Sequence, residues 1–201
     1  HLTGLYIIPK PYIPASPSMM HYPGLFEAMK QAEQKLADNA ETDFKKTVDN
    51  AGLSAEWRCE NCDEYEWQRT FNRYASHVDL VIVSQPDDNP SAEDASFVEH
   101  AVLGCGRPVL IIPRAGVAPD IGKRILIAWN DSHEATRAVN DALPFLERAE
   151  TVELLTVSEN TEETDQAPAG MQAPAGMNEI RTHLARHGVK TRSAKISDDD
   201  I

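Results

Sequence analysis

The stretch that decides the fold is KRILIAWNDSHEATRAVNDALPFLERAETVELLTV, residues 123–157. Its first part, 125–129, is apolar at every position, which is typical of a parallel strand covered on both faces. Asn130, Asp131 and Ser132 interrupt this run, and such side chains commonly cap a following helix. Apolar residues then recur at helical spacing, and a second apolar run follows. The stretch predicts a β-α-β unit, whose first turn is where such folds usually bind a ligand.

Residues 1–113 continue this alternation of strands and helices. Apolar runs predict strands at 5–9, 54–59, 78–84 and 107–113, and the intervening segments predict helices at 24–50, 64–75 and 95–103. The long helix is expected to bury a stripe that includes Leu25, Met29, Ala32 and Leu36. Such alternation predicts an α/β protein with a parallel sheet and helices on both faces.

The pattern restarts at residue 123, which suggests two domains. We expect a first domain at 1–114, a linker at 115–122 and a second domain at 123–201. Within the second domain, residues 158–177 contain an exact duplication of QAPAGM. Ala, Pro and Gly in that proportion cannot bury a core, so this segment is predicted to be a flexible loop. A helix at 178–187 and a strand at 189–196 are expected to follow it.

The composition excludes several classes of partner. The 201 residues include 19 basic and 32 acidic side chains, which give a net charge of -13. A field of this sign repels phosphates, so neither nucleic acid nor an anionic membrane is expected as a partner. No apolar run approaches the roughly 18 residues of a membrane span, and no signal-peptide pattern precedes the first strand. Three cysteines indicate a reducing compartment, so a cytoplasmic location is expected.

The run from Arg124 to Val157 resembles the opening of a universal stress protein domain, which typically begins with an ILVAVDGS-like strand and turn. The stretches ASHVDLVIVSQPD and GRPVLIIP resemble the fourth and fifth strands of the same family. The resemblance covers nearly the whole chain and fits a tandem protein. It implies a five-stranded, Rossmann-like sheet of the adenine nucleotide alpha hydrolase type, with strand order 3-2-1-4-5.

Mapped onto this family, the first half begins at the second strand and the second half stops after the third. Two explanations follow. The missing strands belong to the natural protein outside this sequence, so that the tandem pair is truncated at both ends. Alternatively, the strand at 123–129 fills the central gap of a circularly permuted domain formed by residues 1–149. We favour the first explanation, because two domains in tandem account both for the strand missing before residue 1 and for the strands missing after residue 201.

The resemblance also implies a nucleotide site, which differs between the two halves. Nucleotide-binding members carry Gly-x-x-Gly, nine residues and Gly-Ser/Thr after the fourth strand, but residues 84–90 read SQPDDNP. Prolines remove amide donors and carboxylates repel phosphate, so the first half is not expected to bind ATP in this way.

In the second half, Asn130 occupies the place of an Asp that contacts the nucleoside in the family. Asp131, Ser132 and the backbone at Thr156 and Val157 would line the same crevice, with ATP and Mg²⁺ as the implied ligands. The alternative is that 130–132 only turn the chain and cap the helix.

Two further patterns could carry chemistry. Cys59 and Cys62 form a C-x-x-C, which at a strand end before a helix can support thiol redox chemistry or half of a zinc site. His183 and His187 are four residues apart on a predicted helix, which permits metal binding. For the cysteines, Cys105 and His77 are the only obvious extra ligands, and neither forms a second pair. The two histidines have no third ligand nearby, so no metal is expected.

The resemblance implies a non-catalytic stress-response protein. In agreement with this, the sequence contains no GxSxG, Walker or HExxH motif. A homodimer through the fifth strand, Val109 to Pro113, is implied by the family. The competing functions are an ATP-using enzyme of the same superfold and a thiol-redox protein that uses Cys59 and Cys62.

Overall fold

The computed structural model describes residues 1–10, 23–63, 66–86, 88, 92–116, 121–158 and 176–197. Within these ranges, strands and helices alternate along the chain as the α/β prediction requires, except that the strands Val109–Ile112 and Arg124–Ala128 are consecutive. The strands are β1 (Leu2–Lys10), β2 (Ala55–Asp63), β3 (Val81–Ser84), β4 (Val109–Ile112), β5 (Arg124–Ala128), β6 (Thr151–Ser158) and β7 (Thr191–Ser197). The helices are α1 (Pro23–Asn50), α2 (Trp67–Ala75), α3 (Ala92–Gly104), α4 (His133–Leu146) and α5 (Met177–Arg186). None of the described helices is long and apolar enough to cross a membrane.

The chain divides into two compact units. The first comprises His1–Val81 and Asp88–Val109, and the second comprises Ile82–Asp87 and Leu110–Ile201. Most of the repetitive segment predicted to be a flexible loop, residues 159–175, lies outside the described residues. The two ends of that prediction are described, since Ser158 ends β6 and Met177 begins α5.

The strands are parallel, as expected, but they form three separate sets among the described residues. β1 pairs with β2 from Leu2↔Ala55 to Lys10↔Asp63, and β6 pairs with both β5 and β7. β3 pairs with β4, and hydrogen bonds from the Val81 and Gln85 amides to the carbonyls 27 residues further on show that this pair is also parallel. The described part of the chain therefore does not show a single five-stranded sheet of order 3-2-1-4-5.

The first unit packs α1 against the β1–β2 pair around an aromatic contact. Gly4 of β1 is buried beneath the indole of Trp57, and Trp57 lies 5.3 Å from Phe44 of α1, centroid to centroid. Ala37 and Val48 of α1 are buried in the same unit. The absence of a side chain at Gly4 is what allows the Trp57 ring to lie so close to β1.

The stripe predicted for the first half of α1 was wrong. Leu25, Met29 and Leu36 expose 50%, 44% and 54% of their surface, and Ala32 is exposed as well. A helix of 28 residues is about 42 Å long, whereas a nine-residue strand is only about 30 Å long. Since α1 leads directly into β2 through a short turn, its beginning extends beyond the strands that it covers.

The second unit packs α4 and α5 on one face of the β5–β6–β7 sheet. Its core consists of Ile127, Trp129, Val139, Leu146, Val152, Leu154, Met177, Ile180, Leu184 and Val189. Leu126 points to the other face and is 58% exposed. This packing places the carboxyl ends of β5 and β6 beside each other, at the beginning of α4.

Candidate functional site

The turn after β5 has an unusual backbone conformation. The Trp129 amide still donates to the Leu155 carbonyl (2.8 Å), so the parallel pairing with β6 continues one residue beyond β5. Asp131 then adopts a left-handed conformation with φ of 61°, as no other non-glycine residue does in the described part of the chain. Asp and Asn tolerate this conformation better than most residues, although Gly favours it. In the ILVAVDGS pattern, the residue that corresponds to Asp131 is Gly. Gly adopts a left-handed backbone without strain, and the turn keeps this backbone although the residue here is Asp.

Ser132 caps α4, as the sequence predicted. Its Oγ accepts a hydrogen bond from the Ala135 amide (3.1 Å), and its carbonyl accepts one from the Thr136 amide (3.0 Å). Its extended backbone, with ψ of 164°, is typical of the residue that precedes a helix. Capping accounts for the Ser132 side chain without any ligand.

Asn130 is only partly used by the turn. Its side chain is exposed, and its Oδ1 accepts a hydrogen bond from the Ser132 amide (3.2 Å). Within the described part of the chain, its Nδ2 group donates to no other atom. The side chain therefore offers two N–H donors and a second lone pair on Oδ1 at the end of the sheet.

Thr156 and Val157 lie on the neighbouring strand, as the sequence predicted. Ala128 is in register with Leu155, so Thr156 and Val157 follow beside Trp129 and Asn130. Thr156 is 6% exposed, and it lies on the same face as Leu154, beneath the helices. Its buried position means that the backbone of β6, and not the Thr156 side chain, faces the end of the sheet. For Val157, the structure describes only the backbone.

Two carboxylates flank the turn. A Cβ atom at Gly176, just before α5, would come within 2.6 Å of Asp131 Oδ1, so the Asp131 carboxylate lies against the beginning of that helix. Hydrogen bonds from its own backbone amide and from the Ser132 hydroxyl lower the pKa of Glu134, and nearby His133 acts in the same direction. Both groups favour cations over phosphates at this end of the sheet.

Trp129 is a feature of the site that the sequence reasoning did not single out. The side chain is 6% exposed, and its indole Nε1 has no hydrogen-bond partner within the described ranges. The sequence signal that could have identified it is its position directly before Asn130. The fluorescence of an indole at this position is sensitive to changes in the turn. Trp129 therefore provides a fluorescence probe of ligand binding.

Two surface grooves lie elsewhere, in the first unit. One, of about 300 Å³, is lined by Gln68, Ser96, Glu99, His100, Leu103 and Gly104. The other, of about 540 Å³, is lined by Glu66, Arg69, Thr70, Asn72, Arg73 and Ser76. Both are open to solvent, and in the larger one Arg73 is already paired with Glu60 (3.3 Å). We give more weight to the turn after β5, because strand ends in parallel sheets are where ligands bind.

The C-x-x-C lies in the last part of β2, before α2, as predicted, but both cysteines are still within the paired strand, which continues to Asp63. Cys59 is in register with Tyr6 and Cys62 with Pro9, so the two side chains point to opposite faces of the strand. Burial, together with the nearby carboxylates of Glu41, Asp38 and Glu60, raises the pKa of Cys59; burial is also the main cause of the raised pKa of Cys62. This arrangement disfavours the thiolate that redox chemistry needs.

Comparison with known proteins identifies the fold. No protein-family model and no curated protein matches the sequence. A universal stress protein from Archaeoglobus fulgidus superposes with a TM-score of 0.63 at 14% identity, over 97% of this chain and 66% of that one. A Pseudomonas aeruginosa protein of unknown function superposes with a TM-score of 0.51 at 16% identity, over 96% of this chain and 73% of that one.

A second Pseudomonas aeruginosa structure, assigned to the universal stress proteins, gives the same figures: a TM-score of 0.51, 16% identity, and coverage of 96% and 73%. This chain thus spans just under two thirds of the Archaeoglobus protein, at identities that speak for the fold alone. As the sequence resemblance predicted, the chain has the universal stress protein fold.

Proposed function

We propose that this chain belongs to a universal stress protein that acts in the stress response without catalysis and binds an adenine nucleotide at the Asn130–Ser132 turn. The observation that carries the proposal is the exposed, partly unpaired Asn130 amide at the carboxyl end of β5. The left-handed Asp131 supports it, because the backbone follows the ILVAVDGS-like turn although the Gly is absent.

The groups at this turn suit a nucleoside better than a chain of phosphates. The Asn130 amide can donate to and accept from an adenine edge or a ribose hydroxyl, and the Thr156–Val157 backbone adds further polar groups beside it. Asp131 and Glu134 would repel phosphate oxygens. Bound Mg²⁺ would offset that repulsion, so the nucleotide is expected to bind together with the metal ion.

The proposal includes the organisation that the resemblance implies. The two domains, 1–114 and 123–201, would be tandem copies of one fold, each with strand order 3-2-1-4-5 in the whole protein. A homodimer would form through the strand that includes Val109 to Pro113. Ile111 in this strand is 40% exposed, which is consistent with a surface that is covered on association. A cytoplasmic location remains a prediction.

The competing functions have weaker support. An ATP-using enzyme of the same superfold would need a phosphate-binding glycine loop, and the residues after β3 read QPDDNP. A thiol-redox function would need Cys59 and Cys62 to approach each other, yet they lie on opposite faces of β2.

Calorimetric titration of MgATP into the full chain tests the proposal. Binding in the micromolar range is expected, with at least a tenfold loss of affinity in Asn130→Ala and a change in tryptophan fluorescence on binding that is absent in Trp129→Phe. Asn140→Ala is the matched control, since Asn140 is also exposed in this unit and donates only to the Thr136 carbonyl of its own helix (2.8 Å). Equal affinities of the two variants, or no binding by a folded sample, would contradict the proposal.

A further inference from the structure

The last turn of α5 brings two imidazole rings together on one side of the helix. His183 lies in this turn and His187 is the residue that ends the helix. Their ring centroids are 4.8 Å apart, with an angle of 58° between the ring planes. Residues four positions apart are neighbours on a helix surface, so both side chains can reach a single ion.

The backbone that carries His187 is held in place by the end of the helix. Gly188 adopts a left-handed conformation with φ of 79°, and the Val189 amide donates to the Leu184 carbonyl (3.0 Å). This hydrogen-bonding pattern is that of a Schellman motif, which fixes the chain just beyond the last turn. The direction of the His187 side chain relative to His183 is therefore limited before any ligand arrives.

The polar atoms of His183 are incompletely satisfied. Its Nε2 is buried and has no hydrogen-bond partner within the described ranges. A half-turn of the imidazole exchanges Nε2 with Cε1 and moves the nitrogen out of this position. Because a buried nitrogen without a partner is unfavourable, the turned ring is the arrangement that we expect an ion to engage.

The surrounding charges favour a cation. The carbonyl groups at the end of α5 form the negative pole of the helix dipole, and the chain as a whole carries a charge of -13. Glu179 lies one turn before His183 on the same side of the helix, whereas Arg186 is the nearby cation that opposes binding. In the described part of the chain, no group of three potential ligands is present, so water would complete the coordination.

From this geometry we infer that His183 and His187 form a binding site for one divalent transition-metal ion. Imidazole ligands suit Zn²⁺, Cu²⁺ and Ni²⁺, whereas Mg²⁺ prefers oxygen ligands. The site is therefore distinct from the nucleotide turn in both position and ion. Its metal would link the last turn of α5 to the residue that ends the helix.

The test is a calorimetric titration of ZnCl₂ into the full chain carrying Cys59→Ser, which removes an exposed thiol that also binds zinc. One ion is expected per chain, together with a rise in Tm, and Mg²⁺ should produce neither effect. His187→Ala should weaken Zn²⁺ binding at least tenfold. His77→Ala is the matched control, because His77 is also exposed but lies in the first unit, and it should leave binding unchanged.

A second pair of measurements separates a metal site from a change in the helix. His187→Asp retains a zinc-binding group and should recover part of the affinity that His187→Ala loses, with circular dichroism confirming that both variants are folded. Zn²⁺ should also shift the imidazole NMR signals of His183 and His187 together. Equal zinc affinities of His187→Ala and His77→Ala, or shifts confined to other histidines, would overturn the inference.

Discussion

Gly4 shows how one residue without a side chain determines the packing of the first unit. A Cβ atom at this position would lie 2.6 Å from Cε3 of Trp57 and 3.0 Å from Cε2 of Phe44. Neither ring can move freely, because the two rings pack against each other. Gly4→Ala is therefore expected to lower the free energy of unfolding by about 1–3 kcal/mol, the usual cost of overpacking.

Urea denaturation followed by circular dichroism measures this effect. Gly24→Ala is the control, since no atom lies within 4 Å of a Cβ at Gly24, near the beginning of α1. That substitution should change stability by less than about 1 kcal/mol. If both variants unfolded at the same urea concentration as the parent protein, the contact between Gly4 and Trp57 would not be close in solution.

Single residues were predicted from the sequence when their role depends on near neighbours. The Ser132 cap followed from a polar residue directly before a helical pattern, and the structure contains that hydrogen bond. The contact of Gly4 with Trp57 could not be predicted, because it depends on the register of β1 with β2, 53 residues further along the chain. The left-handed Asp131 lies between these cases, since a turn was predicted there but its backbone conformation was not.

At the scale of elements, the β2 strand decides what Cys59 and Cys62 can do. Three residues of extended chain separate their Cα atoms by about 10 Å, whereas a disulfide requires less than about 7 Å. Mild oxidation with diamide should therefore produce no intramolecular bond between these residues, as peptide mass spectrometry can show. Abundant Cys59–Cys62 disulfide in a protein that keeps its circular dichroism spectrum would refute this assignment of β2.

The same strand also affects how the two thiols react. Cys59 is exposed and Cys62 is buried, so iodoacetamide should modify Cys59 first. The pKa of each thiol is raised, by partial desolvation and, at the largely exposed Cys59, also by the nearby carboxylates of Glu41, Asp38 and Glu60. Both should therefore react more slowly at pH 8 than an unstructured cysteine peptide. The cysteine peptide is the control for the reactivity of iodoacetamide. In Cys59→Ser, only the slower modification of the buried Cys62 and Cys105 should remain.

Elements were predicted better by type than by extent. The predicted strand at 54–59 extends to Asp63 in the structure, because β2 stays paired with β1 as far as Lys10. Residues 60–63 are mostly polar, so the apolar pattern did not indicate this extension. In α1, Leu25 and Leu36 have the spacing of a buried stripe, yet both are exposed. Burial depends on what lies opposite a helix, and that information is absent from the helix itself.

At the scale of the whole molecule, alternation of elements predicted the α/β class, and the structural comparisons agree. The order of strands is a different kind of information, because it depends on pairing between segments that are far apart in sequence. The three separate parallel sets show this limit, since each run of apolar residues predicts a strand but not its neighbour. For the candidate site, the turn and its neighbouring strand were located from the sequence, whereas its ligand remains a proposal.

The net charge of the whole molecule leads to a prediction about how salt affects the proposed nucleotide site. With a charge of -13, the chain repels ATP over a distance that falls from about 30 Å at 0.01 M salt to about 8 Å at 0.15 M. The nearby carboxylates of Asp131 and Glu134 add to this repulsion. ATP affinity should therefore rise as salt is added over this range, which is opposite to the behaviour of a site built from basic residues.

Adenosine is the matched control, because it shares the base and ribose with ATP but carries no charge. Its affinity should be nearly independent of salt, and Asn130→Ala should weaken adenosine and ATP by similar factors if the amide contacts the nucleoside. Titrations of both ligands at the two salt concentrations, with Mg²⁺ held constant, separate these effects. A fall in ATP affinity with added salt would mean that cationic groups contact the phosphates, and the Asn130–Ser132 turn would then no longer account for binding.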